Sequence, residues 1–74
     1  MPGSDEILRR LAVHIHRIRL ERGLSQEGLA HEVDMHRAYV GSIERAEQNV
    51  TLKTLAQLAE RLGVDPADLL KPIG

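Results

Sequence analysis

Seventy-four residues set one domain near the lower size limit for independent folding, so the core must be packed efficiently or shared with a second copy. The lack of cysteine excludes a disulfide framework and a thiolate metal site. Apolar stretches broken by charge every few residues exclude a membrane span and a signal peptide, which sets the expectation of a cytoplasmic protein. A net charge of −1 weighs against a nucleic-acid partner, and one Tyr with no Phe or Trp leaves Leu, Ile, Val and Ala to build the core.

The first predicted helix starts at Ser4, which caps it, and Asp5 and Glu6 follow where acids suit the positive end of the helix dipole. Leu8, Leu11, Ile15 and Ile18 recur at helical period, and Gly23 closes the helix as a C-terminal cap. The next helices share one start signal: a polar cap, an apolar residue before it, and another apolar residue four positions into the helix. Leu24-Ser25-Leu29 opens helix two, Val50-Thr51-Leu55 opens helix four, and Val64-Asp65-Leu69 opens helix five, with Pro66 in its first turn. Met35-His36-Val40 has the same spacing for helix three, although His is a poor cap. Helix four ends at Gly63, and no run alternates apolar and polar over strand length. The expectation is an all-α, five-helix compact domain over residues 1–74, fraying only at Met1–Gly3 and Ile73–Gly74.

Helix two, about 26–33, and helix three, about 37–45, are separated by Asp34-Met35-His36, which is helix-turn-helix spacing. Asp34 sits where the turn needs a positive φ, a conformation that Asp tolerates. At 100° per residue Val40, Ile43 and Glu47 share one face of helix three, and Ala38, Gly41, Ser42 and Arg45 lie opposite. Gly41 inside a helix costs about 0.5–1 kcal/mol relative to Ala, so it marks either a close approach to a ligand backbone or a tolerated exposed glycine. Arg37 begins helix three, where a bidentate donor can reach the O6 and N7 edge of guanine in a major groove. Tyr39 either touches sugar or phosphate or packs over helix two or four. Gln26 opens helix two beside free backbone N–H groups that suit a phosphate. Arg45 and Asn49 are either phosphate ligands or solvated surface residues.

The stretches Arg19-Leu20-Glu21-Arg22-Gly23-Leu24-Ser25-Gln26-Glu27, Leu29-Ala30, Arg37-Ala38-Tyr39-Val40-Gly41-Ser42-Ile43-Glu44-Arg45, Asn49-Val50-Thr51-Leu52 and Leu62-Gly63-Val64 resemble the Xre-like family of phage repressors and Cro proteins. The resemblance covers about Leu8 to Leu70. Arg37-Ala38-Tyr39-Val40 through Asn49-Val50-Thr51-Leu52, with the short chain, looks most like the controller proteins of restriction-modification systems. It implies a phage-repressor-like fold and a dimeric regulator of transcription that binds double-stranded DNA at a palindromic operator. It also implies base reading by Ala38 and Ser42 and a phosphate contact from Gln26, beside the base reading by Arg37 and the DNA-backbone contacts from Tyr39, Gly41, Arg45 and Asn49 that the residues themselves suggest. An ion pair between Arg19 and Glu44 is expected to tie helix three to helix one. Two departures stand out: Asp34 and Ala46 occupy positions where the family usually has Gly. With Ala46 there, helix three is expected to run on toward Gln48, or Asn49 to take the turn conformation.

The family's dimers use the C-terminal region, about 62–74 here. Helix five is barely two turns long, so Leu70 and Ile73, three apart, are expected to meet a partner copy unless Leu70 merely completes the core. Residues 1–45 carry seven arginines against seven acids, so a positive stripe must be created by folding. His14 and His16 face different sides of a helix, and no Cys joins them or His31 and His36, so no metal or cofactor is expected. No phosphate loop, nucleophile elbow or paired carboxylates point to an enzyme with a small-molecule substrate. The rival reading is an antitoxin-like interaction module on the same fold.

Overall fold

Three of the four α-helices in the computed structural model begin at a side chain that caps the first turn. The structure describes residues 1–73, and the fraying expected at Gly74 lies outside them. The order is α1 (Ser4–Glu21), α2 (Gln26–Val33), α3 (Arg37–Glu44) and α4 (Leu52–Leu62), then a single 3₁₀ turn at Pro66–Leu69. No strand occurs among the described residues. The class is all-α, with four helices where five were expected. The fifth stops at one turn because Pro72 lacks an N–H to continue it and disfavours helical geometry at Lys71.

The caps explain the boundaries. Gly28 N donates to Ser25 Oγ at 3.0 Å, Thr54 N to Thr51 Oγ1 at 3.1 Å, and Ala67 N to Asp65 Oδ1 at 2.8 Å. His36 serves as well: its Nδ1 accepts from Ala38 N at 3.2 Å. Ser4 is not the cap of α1. Gly3 holds that place with no side-chain bond, which is tolerable because a bare Gly leaves the free N–H groups open to water. Gly23 and Gly63 end α1 and α4 at φ 67° and 71°, where a side chain would be strained.

Ile15, Leu29, Val33, Val40, Ile43, Leu58 and Leu69 are fully buried, so every helix and the 3₁₀ turn contribute to one core. Helices of eight residues are too short to stand alone. Burial worth about 1.5–3 kcal/mol per large side chain, and not helix propensity, holds α2 and α3 in place. Leu24, Met35, Val50 and Val64, the apolar residues before each cap, pack against this core. Polar links then join the elements: Arg22 Nη2 donates to Leu62 O at 2.7 Å, and His14, itself buried, bonds Lys71 O through Nε2 at 2.9 Å.

Helix three ends at Glu44 and does not run on to Gln48. Ala46, not Asn49, takes the left-handed conformation, at φ 57°. Glu47 N closes the helix end on Ser42 O at 2.9 Å, a bond available only if the residue before it turns left-handed. For an L-residue that conformation costs roughly 1–2 kcal/mol, partly offset in glycine by its greater unfolded freedom. Ala46→Gly is therefore expected to raise stability by about 0.5–1 kcal/mol, read as a higher urea midpoint at unchanged m-value. A lower midpoint would show that Ala46 is unstrained.

Candidate nucleic-acid interface

Helix α2, the turn and α3 are assembled by local chemistry. Asp34 is left-handed at φ 56°, which lets Met35 N bond Ala30 O at 2.9 Å and turns Met35 inward against the core. Gln57 of α4 donates through Nε2 to Val33 O at 2.8 Å and Asp34 O at 3.1 Å, satisfying carbonyls that the end of α2 leaves free. The sequence reading missed this brace, because a single Gln on an amphipathic helix carries no spacing signal.

Helix α3 is fixed from behind. Arg19 of α1 meets Glu44 in a two-point pair, Nε to Oε2 at 2.8 Å and Nη2 to Oε1 at 3.1 Å. The Glu44 side chain is 4% exposed and that of Arg19 14%. Arg19 Nη1 also donates to Leu24 O at 3.0 Å, so one guanidinium ties α1, the α1–α2 connection and α3 together. His16 adds a third contact, Nδ1 to Glu44 Oε1 at 2.8 Å; because a carboxylate only accepts, this nitrogen carries the proton. His16 was not foreseen in this role, although it stands three residues before Arg19 and so shares its helix face.

With α3 so held, Arg37 and Ala38 stand exposed in its first turn, and Arg45 and Asn49 are exposed beyond its other end. Tyr39 is half-buried and packs against the core. Gln26 is half-buried at the start of α2. The helical wheel misplaces two residues, since Gly41 and Ser42 are buried. Ser42 is 8% exposed and its hydroxyl donates to Tyr39 O at 2.6 Å, so its proton is used within its own helix. Gly41 is covered by Gln26 and Arg45, which removes the reading of it as an exposed glycine. Helix α3 is wedged between α1 and α2, and burial from two sides takes in a wider arc than a single apolar face.

The C-terminal expectation also changes. The helix is over by Leu69, so Leu70 and Ile73 do not share a helical face. Instead Leu70 enters an apolar groove with Ile7, Leu8, Val50, Leu52 and Leu55, while Ile73 lies 37% exposed outside it. Leu52, 83% exposed, is the most prominent apolar side chain beside this groove. Its position just inside the Thr51 cap, where an amphipathic helix has no core contact to make, was the overlooked signal. No group of three or more His or acidic side chains among the described residues could hold a metal, and no described helix is long and apolar enough to cross a membrane.

Comparison with known proteins places this geometry. The helix-turn-helix family model matches residues 15–69. The control protein C.BamHI of Bacillus amyloliquefaciens is 46% identical over 57 residues, covering 76% of this chain and 70% of that one. The control protein C.SmaI of Serratia marcescens is 43% identical over 74 residues, covering 95% and 88%. Among solved structures, the restriction-modification controller protein C.Esp1396I, as a tetramer in complex with its natural 35 base-pair operator, superposes with a TM-score of 0.75 at 35% identity, covering 85% of this chain and 83% of that one.

The Glu44 pair yields a test. Burial alone would raise the Glu44 carboxyl, but the hydrogen bonds and charges of Arg19 and His16 outweigh it and hold the group below its ordinary value of 4.5. A group lowered in the folded state contributes stability above its unfolded value and loses it as the pH falls through the folded one. Glu44→Ala is expected to cost close to the lower end of the about 3–5 kcal/mol typical of breaking a buried pair, since His16 is half exposed. The stability gap between parent and Glu44→Gln, measured at pH 5, is expected to close as the pH is lowered through and below 4.5. A gap indifferent to acid would show that the carboxylate charge is not what holds α3.

Proposed function

We propose, from the premise that this chain belongs to the helix-turn-helix family of transcription regulators of the restriction-modification controller type, that it binds a palindromic DNA operator as a homodimer and performs no catalysis. The observation that carries this reading is Arg37 with Ala38, exposed in the first turn of a helix whose opposite end is anchored by Glu44 to Arg19. A recognition helix reads base edges with its N-terminal residues, and it can do so only if the domain behind it is rigid. Arg37 reads guanine and Ala38 meets a thymine methyl, while Gln26, Arg45 and Asn49 hold phosphates. The genes controlled are those of a restriction-modification system. The relatives named control proteins support that assignment, and the operator complex of C.Esp1396I supports DNA as the partner.

The dimer forms on the groove at Leu70, with Leu52 and Ile7 beside it. An apolar side chain as exposed as Leu52 recovers about 1.5–3 kcal/mol when buried, and a twofold interface counts each contact twice.

Two measurements check these assignments. Selection from a random duplex pool is expected to return a site with twofold symmetry, and repeating it with Arg37→Ala should relax one base position per half-site by about 1–3 kcal/mol. An unchanged base preference would remove Arg37 from the readout. Sedimentation analysis of the free protein at tens of micromolar is expected to show a dimer, and Leu52→Asp a folded monomer; a monomeric parent would count against the proposed interface.

A further inference from the structure

Gln26 opens α2 and Arg45 caps the end of α3, yet the polar ends of both side chains reach the same carbon. A Cβ placed on Gly41 would stand 3.2 Å from Arg45 Nη1 and 3.5 Å from Gln26 Oε1. Gly41 lies in the middle of α3, one turn from Arg37 and one from Arg45, on the stripe they share. The missing side chain leaves the room into which the amide from α2 and the guanidinium from the end of α3 both reach.

Their chemistry there is one-sided. The Arg45 guanidinium only donates, and the Gln26 amide carries two N–H donors beside its oxygen. Arg45 has its Nε on Glu47 at 2.9 Å, in a pair whose side chains are each 58% exposed, and such exposed pairs hold weakly enough to be exchanged for a stronger anion. Donors carried by two side chains that reach one point, from the start of α2 and the end of α3, suit a single tetrahedral anion with several acceptor oxygens.

We propose that Gln26 and Arg45 hold the same phosphate of the duplex, one from each helix of the helix-turn-helix, with Gly41 providing the space that lets them share it. The inference rests on the DNA-binding reading and adds to it a positioning role. A shared phosphate fixes α2 and α3 to the backbone at one group, one turn along α3 from Arg37, and so sets the depth at which Arg37 enters the groove.

The test uses the intact protein and the selected site, prepared as duplexes that each carry one neutral methylphosphonate at successive positions. Parent, Gln26→Ala, Arg45→Ala and the double variant are titrated against each, with thermal melts of the free proteins to verify folding. A single position is expected at which neutralisation erases the defects of both single variants, each then binding as the parent does to within about twofold. On the unmodified site the double variant should lose less affinity than the product of the single losses. Erasure at two different positions, or losses that multiply to within about twofold, overturns the shared phosphate and leaves the DNA reading intact. Coupling of the same size in the melts of the free proteins also overturns it, because the side chains would then only brace each other. A parent that binds no duplex removes the DNA reading itself, and the shared phosphate with it.

Discussion

The placement of α3 depends on a carboxylate that is almost wholly out of water. Glu44 is kept charged at 4% exposure only because Arg19 meets it at two points and His16 at a third. An ion pair of this kind adds little net stability compared with a well-packed apolar contact, because desolvation offsets most of its attraction. What it adds is direction: the fork of a guanidinium fits a carboxylate in one geometry, so α3 cannot rotate or slide on α1 without leaving a buried charge unpaired. Apolar contacts from Val40 and Ile43 hold α3 against the core but would tolerate small displacements. The division of labour is therefore affinity between helices from the core and register from the pair.

Much of this fold is legible in the sequence, because it is built from strongly marked local elements. Ser25, Thr51 and Asp65 cap where an apolar residue precedes them and another follows four positions into the helix, and the bounds of α2 and α4 agree with those signals to within a residue. The misjudged ends lie where two rules compete. At Leu70 the apolar period argues for continuing a helix while Pro72 forbids it, and the missing N–H wins because no side-chain contact replaces a backbone bond. At Ala46 the residue type argues against a left-handed turn. The closing bond from Glu47 to Ser42 and the packing of the chain beyond it outweigh a penalty of about 1–2 kcal/mol.

The candidate site was less legible than the fold, for a geometric reason. A helical wheel treats one helix against one neighbour, whereas α3 is packed by α1 from one side and α2 from another. Ser42 and Gly41 therefore fall inside, although the wheel places them out. Contacts that cross elements, such as Gln57 to the end of α2 or Gln26 over Gly41, have no sequence spacing to betray them. Residues at the ends of elements, such as Arg37 and Ala38, could be placed outward correctly because position within the first turn matters more there than the neighbour's identity.

The acidic balance of the chain then takes on a different meaning. Most of its exposed arginines are matched locally: Arg9 by Glu6, Arg17 by Glu21, Arg45 by Glu47 and Arg61 by Asp34. Exposed pairs of this kind contribute about 0–1 kcal/mol, so each arginine can be transferred from a carboxylate to a phosphate at little cost. Net charge therefore understates how much positive charge the surface can present, while the local acids restrain it from binding any phosphate indiscriminately. Electrostatic attraction that is sequence-independent supplies most non-specific affinity for DNA. A regulator whose arginines are partly neutralised gives up some of that background, and discrimination then rests more heavily on the few side chains that contact base edges.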